Sequence, residues 1–152
     1  MKRRVLIVED GNEYSTTLGR FLSESFDFVR AGNGLEALDA LGHGGFEVVF
    51  LDMRFDRVPV ERLLGDLQAQ VARLGGDSER ARRFLEDNQG TFVLAALREA
   101  GHQLPVVFSY DFGEEPRRFR NLAQRFGPLH FLDSNAGPVE IREALARDDQ
   151  DT

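Results

Sequence analysis

Apolar positions along this chain fall into two alternating patterns. The first is a short continuous run that ends in a polar group: "RVLIVED", closing at Asp10; "FEVVFLD" over 46–52; "LPVVFSY" over 104–110; and "PLHFLDS" over 128–134. Runs of this length, rich in β-branched and aromatic residues, predict strands covered on both faces, as in a parallel sheet. "FDFVRAG" over 26–32 alternates instead and predicts an edge strand. The second pattern is helical. Leu18, Phe21 and Leu22 share a face within 12–25, Leu35, Leu38 and Leu41 within 34–41, and Phe119, Leu122, Ala123 and Phe126 within 115–126. Residues 89–100 and 138–147 complete the set, and 148–152 form a polar tail expected to fray.

Strands and helices therefore alternate, which predicts one α/β domain over 1–147 with a five-stranded, doubly wound parallel sheet. One segment does not fit the alternation. Residues 56–88 form a helical insertion after the third strand. Val60, Leu63, Leu64, Leu67, Val71 and Leu74 recur at helical spacing, which predicts an amphipathic helix of about four turns. "LGGDSER" stops it, and a second helix follows at about 78–87, capped by Asp77 or Ser78. The stripe either covers the domain's own surface or, through Leu63, Leu67 and Val71, forms a surface for a partner protein or a second copy of the chain.

Composition narrows the function classes. The net charge of −7 argues against a nucleic-acid partner, because neutralising phosphates needs a basic face. The absence of cysteine excludes disulfides and thiolate chemistry. "MKRRVLIVED" opens with positive charge, but its apolar run is too short for a signal peptide or membrane span, so a cytoplasmic protein is expected. Three scattered histidines, His43, His102 and His130, make no zinc site.

The chemistry concentrates at the strand ends. Glu9 and Asp10 close the first run, Asp52 the third and Ser109 precedes the end of the fourth. In a parallel sheet these emerge at one edge, where ligands bind. Crowded carboxylates raise one another's pKa, and a hard divalent cation such as Mg2+ relieves the repulsion. Plainer roles compete: Asp10 as an N-cap for the first helix, Ser109 as a strand-end hydroxyl, Phe131 as a core ring.

The acidic pair, the lone aspartate and the hydroxyl, in the order "VLIVED", "EVVFLDM" and "LPVVFS", resemble the receiver domain of bacterial response regulators. "NGLEAL" and "VLAALREAGHQLPVV" resemble that family's second and third helices, so the likeness spans nearly everything except the insertion. The resemblance implies a flavodoxin-like sheet in the order 2-1-3-4-5, and that Asp52 accepts a phosphoryl group from a histidine kinase. It implies that Glu9, Asp10, Asp52 and the main-chain carbonyl of Arg54 hold Mg2+, that Ser109 contacts the phosphoryl oxygens, and that Phe131 is the rotating switch residue.

Three departures qualify this. Ser134 stands where the family has a lysine, with Asn135 in place of the following proline. A charge-assisted hydrogen bond of about 1.5–3 kcal/mol is thereby lost. Tyr110 replaces a small residue and either narrows the entrance or points away, and the insertion leaves the same strand end as Asp52. Two functions follow as expectations: a non-enzymatic, stand-alone receiver with output through protein contact, or a phosphorylation-independent pseudo-receiver that binds partners through 56–88.

Overall fold

The computed structural model describes residues 2–147. Five strands, β1 (Arg3–Val8), β2 (Phe26–Ala31), β3 (Val48–Leu51), β4 (Val106–Phe108) and β5 (Leu129–Phe131), form one parallel sheet in the order β2-β1-β3-β4-β5. Helices α1 (Glu13–Leu22), α2 (Gly34–Gly42), α5 (Gln89–Glu99), α6 (Pro116–Phe126) and α7 (Pro138–Ala146) carry the crossovers and the closing segment. The insertion contributes α3 (Leu67–Arg73) and α4 (Ser78–Asp87). No helix among the described residues is long and apolar enough to cross a membrane.

The continuous apolar runs are explained by two separate cores. Leu6, Val8, Val49, Leu51, Val106 and Phe108 point to the side covered by α2, α5 and α6. Val5, Ile7, Val48, Phe50 and Val107 point to the other, with Leu18, Leu22 and Leu145 from α1 and α7. Successive strand residues alternate between the two sides, so a strand covered on both must be apolar throughout. β2 is an edge strand, and its burial alternates over Phe26–Val29 before Arg30 and Ala31 break the pattern.

Local chemistry sets the helix starts. Asn33 caps α2, accepting from the Glu36 amide at 2.9 Å while its own amide group donates to the Glu36 carboxylate at 3.1 Å. Pro116 and Pro138 open α6 and α7, where a missing N–H costs nothing. Asp77 caps α4 through the Arg80 amide at 3.1 Å.

The insertion departs from expectation. In place of one helix over 60–74 there is a single 3-10 turn at Val60–Arg62, an extended Leu63, and a restart at α3. Gly65 breaks the helix with φ of +104°, and Asp66 caps the new start through the Ala69 amide at 3.0 Å. The hydrophobic period runs through a "GD" that is a stop and a start signal together. Part of the apolar stripe covers the domain's own core. Leu63 is buried in the main core with Phe55, Val58 and Leu85, Leu64 and Leu67 pack against it, and Val71 is half-buried. Because Leu63 is covered by the domain itself, it is withdrawn from the candidate partner surface.

Gln89 ties the insertion down. Fully buried at the start of α5, its side chain accepts from the Leu64 amide at 2.7 Å and donates to the carbonyls of Leu64 at 3.1 Å and Leu85 at 3.0 Å. Replacing it by alanine strands the Leu64 backbone groups without their partner. We expect Gln89→Ala to destabilise the fold by about 2–4 kcal/mol in denaturant unfolding, with faster hydrogen exchange at Leu64.

Candidate functional site

The site is assembled by the hydrogen-bond ladder continuing one step past the strands. Val8 pairs with Leu51, and Leu51 with Phe108. Beyond them, the Glu9 amide donates to the Ala31 carbonyl, Asp52 to Val8, Ser109 to Leu51 and Leu132 to Phe108, all at 3.0–3.1 Å. Glu9, Asp52 and Ser109 are thus held in register on adjacent strands, and β1 and β3 are immediate neighbours.

Each acid meets a different environment. Glu9 is buried, and its two oxygens accept from the amides of Tyr14 at 3.0 Å and Ser15 at 2.7 Å. It therefore stabilises the exposed N–H groups and positive dipole end of α1. The capping role that competed for Asp10 belongs to Glu9. Asp10 instead accepts, through Oδ2, the main-chain N–H of Arg57 at 2.8 Å. Asp52 is half-buried; its Oδ1 accepts from the Met53 amide at 2.8 Å and from the Ser109 hydroxyl at 3.4 Å. Burial pushes the Asp52 pKa up to about 6, and the charges of Asp10 and Glu9 add to the rise against the Met53 and Ser109 hydrogen bonds. Gly90, at the start of α5, completes the support: its amide donates to the Met53 carbonyl at 2.9 Å. A Cβ there would lie 2.5 Å from the Asp52 carbonyl oxygen, so only glycine lets α5 begin this close to β3.

Among the described residues no three acidic, histidine or cysteine side chains converge as a metal cage by themselves. Glu9 has both oxygens committed to α1, which leaves Asp10 Oδ1 and Asp52 Oδ2 as the carboxylate oxygens without a protein partner among the described residues. Two carboxylates, with the Arg54 carbonyl as a third donor, suit magnesium, which takes few protein ligands and keeps several waters.

The remaining candidates lie to one side. Tyr110 points away from the pocket: its hydroxyl donates to Glu115, and its ring packs on Phe112 with centroids 4.7 Å apart. Phe131 is held by Phe112 at 5.5 Å and Phe119 at 4.8 Å, inside an aromatic cluster that also includes Phe108. Ser134 is exposed, and its amide and hydroxyl both donate to Asp111 Oδ2, at 3.0 and 3.2 Å. A carboxylate therefore faces the position where the family carries a cation. Sequence reasoning missed Asp111, whose only signal was its nearness to Ser109, and it missed Arg57, concealed among the insertion's charges. Leu67 and Val71 lie in α3, in the insertion hairpin.

No protein-family model matches the sequence, and no curated protein matches it. Solved structures do. The chain is similar to adenylate cyclase from Rhodopirellula baltica, with TM-score 0.63 and 18% identity over 95% of this chain and 85% of that one. It is similar to the receiver domain of NtrX from Brucella abortus, with TM-score 0.60 and 17% identity over 95% and 99% of the two chains. The chemotaxis protein CheY4 of Vibrio cholerae aligns with TM-score 0.59 and 15% identity over 95% and 97%. The chain has the receiver-domain fold, the CheY-like form of the flavodoxin-like sheet.

The raised Asp52 pKa has a thermodynamic consequence. The folded state holds the Asp52 proton up to about pH 6, whereas the unfolded chain releases it near the ordinary value of 3.8. Between these values the folded state binds more protons, so this group's contribution to stability falls as pH rises. The shift corresponds to about 3 kcal/mol at most, and about 1–2 kcal/mol after screening at a half-open rim. Asp52→Asn should therefore raise the melting temperature at pH 7–8, with the gain fading below about pH 4, as read by thermal unfolding across pH.

Proposed function

We propose that the chain is a signal-transduction receiver that accepts a phosphoryl group on Asp52 and passes the change on through protein contact. The observation that supports this most is the ladder that sets Asp52 and Ser109 side by side with the acidic pair on the neighbouring strand. The Met53 amide holds the Asp52 carboxylate through Oδ1, and a carboxylate oxygen of Asp52 is the attacking atom. A histidine kinase supplies a phosphohistidine. The new O–P bond forms as the P–N bond breaks, and the imidazole nitrogen leaves with the bonding pair. Ser109 Oγ, 3.4 Å from Oδ1, donates to a phosphoryl oxygen. Asp10, Asp52 and the Arg54 carbonyl would hold Mg2+, which when bound neutralises charge on the transferred group. Phosphorylation adds about two negative charges at the rim. A cytoplasmic setting and the absence of a nucleic-acid partner belong to the same reading, in keeping with the net charge of −7.

A second reading has its own support. Ser134 and Asp111 put a hydrogen-bonded carboxylate where a phosphoryl group needs a cation. Phe131 is half-buried and packs against Phe112 and Phe119, contacts that a rotating switch would have to break. On this reading the domain is a constitutive interaction module, a pseudo-receiver whose contacts do not depend on phosphate, with the insertion as the binding element.

Acetyl phosphate with Mg2+ separates the two. The receiver reading expects a mass increase of one phosphoryl group in the wild type and none in Asp52→Asn. Beryllofluoride with Mg2+ should shift the Ser109 and Met53 amides in NMR spectra of the wild type only. If wild type and Asp52→Asn behave alike in both measurements, the phosphoacceptor reading is wrong and the pseudo-receiver reading stands.

A further inference from the structure

We propose that Arg57 is a resident counter-charge of the acidic pocket: a positioning residue that holds Asp10 and opposes a divalent cation there. The proposal rests on the metal-binding part of the reading above. It comes from Arg57, at the start of the 56–88 insertion, which the receiver resemblance does not cover.

The geometry is specific. The main-chain N–H of Arg57 donates to Asp10 Oδ2 at 2.8 Å. Its guanidinium turns back and bonds Glu13 Oε1 at 2.9 Å, at the start of α1. On the way it crosses Gly11 so closely that a Cβ there would lie 2.3 Å from Arg57 Nη1. The side chain is thus laid across the loop between β1 and α1, beside Asp10. The acids facing it are Glu13, Asp10 and Asp56, and together they hold its pKa above the ordinary arginine value.

This divides the rim into unequal halves. Glu9 has two helix amides, and Asp10 has a guanidinium nearby. Asp52 has only an amide and a hydroxyl, and its two charged neighbours are negative. A divalent cation between Asp10 and Asp52 relieves Asp52 but brings like charge up to Arg57. The chain leading into the insertion reaches α4: the Phe55 amide donates to the Glu86 carbonyl at 2.9 Å, and the Arg54 guanidinium contacts Asp87 at 3.2 Å. Repulsion at Arg57 therefore acts on a segment hydrogen-bonded to the insertion hairpin.

The test is a Mg2+ titration of the full chain followed by amide NMR, at low and high salt. Variants are Arg57→Ala, Arg57→Lys and Glu13→Gln. Arg57→Ala should tighten Mg2+ binding by about 3–10-fold at low ionic strength, with the difference shrinking as salt screens the charge. Arg57→Lys should stay close to wild type. Glu13→Gln, which leaves the guanidinium charge uncompensated, should weaken binding. In the wild type, the amides of Arg57, Glu86 and Asp87 should shift together with Asp10 on the same binding curve. A structural role alone would lower stability without giving opposite signs at Arg57 and Glu13 or a salt-dependent affinity. The proposal is overturned if Mg2+ binds through Asp52, as shown by its loss in Asp52→Asn, yet the Arg57 and Glu13 variants match wild type or shift the other way. If wild type itself binds no Mg2+, the metal reading and this proposal fall together.

Discussion

Parallel strands in register bring acids together, and that crowding is the constraint on which the rest of this structure depends. The β1–β3 pairing leaves no freedom: once Val8 pairs with Leu51, Glu9 and Asp52 must both project at the rim. Two carboxylates and a third beside them cannot share a partly dehydrated edge without compensation. The protein meets this acid by acid. Glu9 is bound into the N-terminus of α1, Asp10 takes an amide and a neighbouring guanidinium from the insertion, and Asp52 receives the least. The acid left least compensated is the one at the point where chemistry is proposed. This is the usual relation between a perturbed carboxyl and a functional site.

Much of this was legible in the sequence because the physics behind it is periodic. Continuous apolar runs can only be strands covered on both faces, and their alternation with helical patterns admits few topologies. The parallel sheet, the edge position of 26–32 and the emergence of Glu9, Asp52 and Ser109 at the same ends of their strands follow from that alone, whereas the sheet order that makes β1 and β3 neighbours rested on the receiver resemblance. The partners within the rim were not legible. Whether Glu9 or Asp10 caps α1 depends on which side chain reaches two amides at once, and that is a matter of ångströms rather than spacing. The direction of Tyr110 was equally open, and Glu115, five residues on, decided it by accepting the hydroxyl.

The insertion shows where periodicity misleads. Val60, Leu63, Leu64, Leu67, Val71 and Leu74 keep helical spacing across a break in the helix. Leu63, Leu64 and Leu67 meet the core because the chain turns at Gly65, not because it stays helical. The local signal was present in "GD", a glycine stop followed by an aspartate cap, and the longer-range hydrophobic pattern overrode it. Tertiary contacts then fixed the outcome. Leu64 sits so close to α2 that a Cβ on Gly34 would lie 2.4 Å from its Cδ1, and Gln89 clasps the Leu64 backbone. Leu63, Leu64 and Leu67 of the stripe are the domain's own cover, whereas Val60 is exposed and Val71 and Leu74 are half-buried.

The charges around the pocket argue for a displaced route from site to surface. In the receiver domains that this sequence resembles, a lysine and a mobile aromatic lie on the β4–β5 side. Here Ser134 is bonded to Asp111, and Phe131 packs on Phe112 and Phe119. Arg118 joins Glu115 at 3.1 Å to Asn88 at 2.7 Å, which links α6 to the end of the insertion. The side with exposed, charge-bearing contacts is the lead-in from Arg54 to Arg57. There the guanidinium of Arg57 faces Glu13, and that of Arg54 faces Asp56 and Asp87. Exposed ion pairs are individually weak, about 0–1 kcal/mol, and so are easily rearranged by a new charge nearby. A packed aromatic cluster is not. A charge added at this rim therefore meets its most easily rearranged contacts in the lead-in to the insertion.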